Sequence, residues 1–367
     1  MIDVKRLLAG MTAALLAVIL VLSFPAKALS AQNAILMDCT TGRILYGKQM
    51  DKRSLIASTT KIMTALVVCE QCNVLDRMKI PKEAVGIEGS SMYLQEGEVL
   101  TIQELLYGMM LHSGNDAAVA LAIYCGGTVE GFAQMMNDKA RALGLQNTHF
   151  ENPNGLDADQ HYSSARDLGI LAAYAMENPI FAKIVSTKTV KVGERYLRNH
   201  NKLLWQLEGA DGVKTGYTKK AGRILVSSAQ RSGRRLVAVT INDPNDWQDH
   251  IALMEDGFQN YTEQVIVEKD SVLGTVEIAG GMCDGVELIA KESFTYSLAQ
   301  DEKTEVCLPT PGFVYAPVAA GQDAGFAQIY LDNQWIGKVP LIYGQTVEQE
   351  SQPEPNLWER LFGGSDK

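Results

Sequence analysis

The stretch GVKTGYTKKAGRILVSSAQRSGRRLVAVTI, residues 212–241, holds three strand-like runs at 212–215, 224–229 and 235–241. Ser232-Gly233 between the last two is a hairpin dipeptide, so these runs read as neighbouring antiparallel strands. A further strand-like run lies upstream at 187–192, and a helical pattern follows at 247–260. Far upstream, 34–38 and 43–47 flank Cys39-Thr40-Thr41-Gly42, a second hairpin signal. Between these ends lie helical patterns at 58–68, 101–111, 116–124, 129–143 and 165–177. Strands at both ends with helices between predict an α+β unit, an antiparallel sheet packed against helices, over residues 32–261. From 262 to 344 the texture changes to short β-type runs at 265–267, 274–278, 294–297, 327–331 and 335–339. Asp332-Asn333-Gln334 between the last two is a hairpin signal, and the segment reads as a small all-β domain.

The chain has 367 residues, 46% hydrophobic and 21% charged, which suits two folded domains with flanking segments. A net charge of −10 repels phosphate backbones, so nucleic acid is excluded as an expected partner. Six cysteines are too few to build a disulfide scaffold. Cys69-Glu70-Gln71-Cys72 has no second pair or histidine cluster nearby, which argues against a metal. A local disulfide and ordinary helix cysteines both remain open for it.

Residues 1–31 read as an export signal. Lys5 and Arg6 precede an uncharged apolar run at 7–24, Pro25 breaks it, and Ala26-Lys27-Ala28 offers a cleavage site. Leu29-Ser30-Ala31 is a second such site, and an uncleaved anchor is the competing reading. Loss of residues 1–28 removes Lys5, Arg6 and Lys27 but only Asp3 among acids, so the exported product is the more acidic. At the other end, residues 345–367 read as an acidic linker and a short amphipathic tail. Leu357, Trp358, Leu361 and Phe362 form one apolar face there, suited to weak membrane-surface contact.

Three motifs carry the chemistry. In Ser58-Thr59-Thr60-Lys61 the lysine lies three residues from the serine, on the same face of a helix start. A serine hydroxyl needs a base, and a lysine serves only when neutral, its pKa of about 10.4 lowered by burial or a neighbouring cation. Ser113-Gly114-Asn115 sets a hydroxyl and a carboxamide on a tight turn between two helices. Lys214-Thr215-Gly216 offers a cation, a hydroxyl and a side-chain-free position on a strand. Each alone is common; the ordered trio is far more specific.

Together they match the signature of penicillin-binding proteins and class A β-lactamases, with SGN in place of SDN. The chain resembles the serine-type D-alanyl-D-alanine carboxypeptidases, the low-molecular-mass penicillin-binding proteins. Flanking stretches agree: Ala34-Ile35-Leu36-Met37-Asp38, Leu111-His112 before Ser113, Asn152-Pro153-Asn154-Gly155-Leu156 and Asp211-Gly212-Val213. The resemblance implies a β-lactamase/transpeptidase-like catalytic domain and the roles of its residues. Ser58 would be the nucleophile, Lys61 the acylation base, and Ser113 a proton relay to the leaving amine. Asn115 would bind the substrate amide and steady Lys61. Lys214 and Thr215 would bind the terminal carboxylate beside Gly216, with Lys214 helping to keep Lys61 neutral. The backbone N–H groups of Ser58 and Tyr217 would form the oxyanion hole.

The substrate implied is a peptidoglycan stem peptide ending in D-Ala-D-Ala, with β-lactams as covalent inhibitors. The place implied is the bacterial envelope, on the outer face of the cytoplasmic membrane or secreted. An arginine that assists the carboxylate in the family is missing from 242–250, leaving that role unassigned. No phosphate loop or nucleotide fingerprint occurs, so no cofactor and no metal are expected. His112, after an apolar run, reads as structural. Two other readings compete. One is a β-lactamase of the same fold, which Glu151 before Asn152-Pro153-Asn154 matches poorly. The other is a non-catalytic envelope sensor or scaffold, against which intact Ser58, Lys61 and Lys214 argue.

Overall fold

The computed structural model describes residues 29–309 and 311–350. The readings placed on residues 1–28 and on Leu357, Trp358, Leu361 and Phe362 lie outside these. The described chain divides into two units, one ending at Met254 and one beginning at Glu255, with the turn Asp38–Arg43 belonging to the second.

In the first unit, β1 (Asn33–Asp38) and β2 (Ile44–Lys48) form the expected hairpin. Helix α1 (Lys61–Gln71) follows, then the short strands β3 (Arg77–Lys79) and β4 (Val99–Thr101). Next come α2 (Ile102–Leu111), α3 (Asn115–Gly126), α4 (Val129–Ala142), α5 (Ala165–Glu177) and α6 (Pro179–Ser186). A hairpin of β5 (Thr189–Val192) and β6 (Arg195–Arg198) leads through α7 (Leu203–Gln206) to β7 (Ala210–Thr218), β8 (Gly222–Arg231) and β9 (Arg234–Ile241). Helix α8 (Asp246–Asn260) ends in the second unit. The sheet order is β2–β1–β9–β8–β7, so the first and last strands of the unit meet at its centre.

Helix α1 is the hub, packed against α2 to α6. Its residues Lys61, Ile62, Met63, Thr64, Ala65, Leu66, Val67 and Val68 are all buried. A helix apolar on every side has no solvent face, which is why it occupies the interior. Local signals stop and start its neighbours. Thr101 and Glu104 form a reciprocal capping box on α2, and Asn178 caps α6 ahead of Pro179.

Two expectations are corrected here, and one choice left open is closed. The run at 187–192 does not join the main sheet; β5 pairs only with β6, a strand the sequence reading did not anticipate. Residues 29–31, assigned to the export signal, lie against this unit: Ser30 N donates to Asp249 Oδ2 (2.6 Å) and Ala31 is buried. Cys69 and Cys72 form no disulfide. Cys72 sits past the helix end in extended backbone, and its thiol faces Cys125 of α3, whose hydrogen bond raises it.

The second unit pairs β10 (Tyr261–Val267) with β13 (Phe294–Ala299). A six-stranded sheet adds β11 (Val272–Ala279), β12 (Gly285–Ala290), β14 (Thr304–Cys307), β15 (Phe313–Tyr315), β16 (Asp323–Leu331) and β17 (Gln334–Tyr343). Its order is β14–β16–β17–β12–β11–β15, around a core that includes Val276, Leu288, Ile329 and Leu341. The turn Asp38–Arg43 is held here: Arg43 donates to Glu302 (2.6 Å) and lies over the Tyr261 ring at 5.2 Å. Residues 345–350, read as the start of a linker, instead continue the fold. Val347 is in the core and exchanges backbone hydrogen bonds with Val318. Among the described residues, no single helix is long and apolar enough to cross a membrane.

Candidate active site

Ser58 lies in a short 3-10 turn, Ala57–Thr60, just before α1. Ala57 adopts φ +45°, so the turn is tight and its geometry is imposed by surrounding packing. Lys61, the first residue of α1, places Nζ 2.9 Å from Ser58 Oγ. The same Nζ donates to Asn115 Oδ1 (2.7 Å) and to the Asn154 carbonyl (2.5 Å). A neutral amine has two N–H groups and one lone pair. The two carbonyl oxygens take the N–H groups, and the lone pair is left facing the serine hydroxyl. Burial pushes the Lys61 ammonium well below its ordinary pKa, the Lys214 charge pushes it further, and Asp116 opposes both.

Ser113 holds φ +63° between α2 and α3, and its Oγ accepts from Lys214 Nζ at 3.2 Å. Lys214 is buried on β7 and also donates to its neighbour's carbonyl, Thr215 O, at 2.9 Å. Burial lowers its pKa to about 7. Asn115 is fixed at both ends of its amide, since Nδ2 donates to the Glu88 carbonyl at 2.6 Å. The second Nδ2 hydrogen is left for a ligand. Asp116 accepts from the backbone N–H of Met92 (3.0 Å) and Leu94 (3.1 Å) and from Ser91 Oγ (2.6 Å). Ser90, which lines the cleft, accepts from the Asn115 backbone N–H at 2.7 Å.

The cleft has a volume of about 350 Å³ and is lined by Ser58, Ser113, Thr215, Gly216 and Tyr217. Gly216 lies at close approach: a Cβ there would lie 3.2 Å from the Ile56 carbonyl and 3.3 Å from Ser58 N. The strand edge therefore borders the nucleophile turn directly, and this refines the reading of Gly216 as a bare position for substrate backbone. Gly155 is tighter still, at φ +86° with a Cβ position only 1.9 Å from the Ala57 carbonyl. A Gly155→Ala protein is expected to melt at least about 4 °C lower, from strain and overpacking of roughly 1–3 kcal/mol each. It should also acylate at least about tenfold more slowly. Thermal melting and labelled-penicillin kinetics check both, and an unchanged melting temperature would contradict the packing argument.

His161 supports the turn from below. Its Nδ1 accepts the Glu151 N–H (3.1 Å), which places the proton on Nε2 to donate to Thr60 Oγ1 (2.7 Å). Burial holds His161 neutral, with a pKa lowered to about 4. The Glu151 carboxylate is exposed and accepts from Gln160 N at 2.8 Å, so it does not reach the cleft.

Arg223 and Asp246 were missed by the sequence reading. Arg223 is on β8, register partner of Tyr217, and lines the cleft. Its Nη2 donates to both Asp246 oxygens, at 2.8 and 2.7 Å. The region 242–250 does lack an arginine, but it supplies the carboxylate that holds one from the adjacent strand. Only strand register brings Arg223 beside the Lys214 motif, so the sequence carried no local signal for it. His200 and Lys202 also line the cleft without having been foreseen.

Comparison with known proteins agrees with this geometry. Residues 21–245 match the D-alanyl-D-alanine carboxypeptidase family model, well over half of the chain. The chain belongs to that family. Residues 261–349 match the model for the C-terminal domain of penicillin-binding protein 5, in line with the folding of residues 345–350. Among curated members, D-alanyl-D-alanine carboxypeptidase DacF of Bacillus subtilis is 32% identical, over 85% of this chain and 84% of that one. DacD of Escherichia coli is 33% identical over 90% and 89%. The structure of penicillin binding protein 5 from Haemophilus influenzae superposes with TM-score 0.76 at 31% identity, covering 88% of this chain and 98% of that one. The expected α+β catalytic fold with an all-β C-terminal domain is thereby shown.

Proposed function

We infer that this chain is a serine D-Ala-D-Ala carboxypeptidase that removes the terminal D-alanine from peptidoglycan stem peptides through an acyl-enzyme. The observation that carries the reading is the buried Lys61 amine, whose Nζ contacts Asn115 Oδ1, the Asn154 carbonyl and Ser58 Oγ. In its neutral form the first two can take its N–H groups and leave the lone pair for the serine. Lys61 takes the hydroxyl proton as Ser58 Oγ attacks the penultimate D-alanyl carbonyl. The backbone N–H groups of Ser58 and Tyr217 receive the oxyanion. Ser113 passes a proton to the departing amine, and Asn115 holds the substrate amide. Water then hydrolyses the ester. A β-lactam offers the same carbonyl with a leaving amine that stays tethered, so penicillin is trapped on Ser58. The protein works in the bacterial envelope, exported to where peptidoglycan lies.

Lys214 and Thr215 take the terminal carboxylate, and Arg223, held by Asp246, supplies the auxiliary cation left unassigned by the sequence. Arg223→Leu is expected to raise KM for a D-Ala-D-Ala peptide about tenfold with kcat nearly kept, since a charge-assisted hydrogen bond to substrate is lost. Steady-state kinetics read the split; an unchanged KM would remove Arg223 from the carboxylate site.

The central test uses purified protein, a diacyl-Lys-D-Ala-D-Ala peptide and a fluorescent penicillin. Wild type is expected to release D-alanine and label covalently, while Ser58→Ala does neither. D-Alanine release by Ser58→Ala equal to wild type would sink the nucleophile assignment. Rapid turnover of a chromogenic cephalosporin by wild type would favour a β-lactamase instead.

A further inference from the structure

Two helices begin on residues of the site: Lys61 opens α1 and Asn115 opens α3. Their first residues meet, with Lys61 Nζ 2.7 Å from Asn115 Oδ1, and the helices pack against each other. Cys72 lies eleven residues beyond Lys61, and Cys125 ten beyond Asn115. At 1.5 Å of rise per residue these are about 16 and 15 Å down their helices. Helices side by side from a shared start therefore bring both cysteines to one level. The thiols do meet there, Cys72 donating a hydrogen bond to Cys125.

A second contact fixes the same end. Tyr124 Oη, beside Cys125, donates to Asp76 Oδ2 at 3.0 Å, which holds the chain following Cys72 against α3. Cys72 has left the helix for extended backbone, at φ −120° and ψ 147°, while its N–H still closes on the Val68 carbonyl at 3.0 Å. Both cysteines are half-buried, within reach of an oxidant rather than sealed in the core. Cys69, one turn before Cys72, is the competing partner. Burial pushes its thiol up to about 12, so it stays protonated and unreactive, and the Cys72 thiol turns to Cys125 instead. Cys125 goes the other way: the hydrogen bond from Cys72 lowers its pKa and favours the attacking thiolate.

We propose that Cys72 and Cys125 are a redox-active pair that a disulfide oxidant converts into a cross-link, stapling the far ends of the two helices that carry Lys61 and Asn115. The Cys125 thiolate attacks one sulfur of the oxidant's S–S bond, which breaks and expels one thiol, leaving a mixed disulfide on Cys125. Cys72 then loses its proton and attacks the Cys125 sulfur, expelling the second thiol. Two protein thiols give up two electrons and two protons, and the oxidant's disulfide is reduced to two thiols. The cross-link closes a loop of about fifty residues, which constrains the unfolded chain, and it joins groups that already touch in the folded one. Export, part of the reading above, would put the chain among such oxidants; the pairing itself does not depend on it.

The test equilibrates the full protein with oxidised glutathione, beside a sample kept in dithiothreitol. Peptides are mapped without reduction, and melting is followed for both samples. Oxidised wild type should yield one cross-linked peptide pair holding Cys72 and Cys125, and it should melt at least about 4 °C higher than the reduced form. Dithiothreitol should reverse both changes. Cys125→Ser should give no cross-link and no upward shift, with penicillin labelling within about twofold of reduced wild type. Cys125→Ala takes its place, with the same expectation, if serine disturbs folding. Absence of a cross-linked pair from oxidised wild type would overturn the inference, as would Cys69 linked to Cys72. A Cys72–Cys125 link that leaves the melting temperature unchanged would overturn the staple. Mapping and melting do not use catalysis, so a protein inert towards a D-Ala-D-Ala peptide would sink the carboxypeptidase reading and leave this inference standing.

Discussion

Lys61→Arg is expected to reduce acylation by labelled penicillin at least about a thousandfold while the protein still folds. A positioned general base contributes roughly 10²–10⁴ in rate, and a guanidinium cannot act as one because it stays charged in proteins. The geometry sharpens the expectation. Lys61 Nζ already satisfies Asn115 Oδ1 and the Asn154 carbonyl, and a larger, permanently charged head in that buried space must break those contacts. The D-alanine release rate should fall in parallel, with circular dichroism showing that the fold is kept and the melting temperature lowered by the lost buried contacts. Acylation by Lys61→Arg within tenfold of wild type would transfer the base role to another group.

The second large effect concerns Lys214 and pH. The wild-type kcat/KM profile should be bell-shaped. Activity rises with pH as Lys61 loses its proton, then falls above about 7 as Lys214 loses its charge and the carboxylate site weakens. Lys214→Gln removes a buried cation that meets the substrate carboxylate, a change that costs about 2–5 kcal/mol, so kcat/KM at neutral pH should drop at least about thirtyfold. The sign of the accompanying shift is definite. Burial is the main reason Lys61 is depressed, and the Lys214 charge is the second. Without that charge the protonated form of Lys61 is less disfavoured, its pKa rises, and the rising limb moves to higher pH. The falling limb near 7 should disappear. A rising limb that stays where it is in Lys214→Gln would rule out the electrostatic link between the two lysines.

Much of the architecture could be read in the chain. The strand-like runs at 224–229 and 235–241 became β8 and β9 about the Ser232-Gly233 turn, because short apolar runs and turn chemistry are local properties. The pattern at 165–177 became α5 with the same bounds, started by Ser164 as cap. Long-range pairing could not be read. Nothing near 34–38 says that β1 lies beside β9, and nothing near 189–192 says that β5 stays out of the sheet. Residues 345–350 look like a linker by composition, yet Val347 packs in the core and backbone hydrogen bonds join Val347 to Val318, Glu348 to Met282 and Glu350 to Gly280.

The sequence by itself determined the chemical inventory: a serine and a lysine one helical turn apart, a Ser-Gly-Asn turn, and a Lys-Thr-Gly strand edge. Spacing along the chain is all such motifs need, since one turn or one strand presents each of them. Only the tertiary structure decided the state of those groups. The Lys61 pKa is pushed well down because burial keeps water from it and Lys214 arrives from the sheet. Arg223 joins the site because β8 is in register with β7, and Cys72 meets Cys125 because α1 and α3 converge. Burial, register and convergence are sums over residues distant in sequence, and no local pattern encodes a sum of that kind.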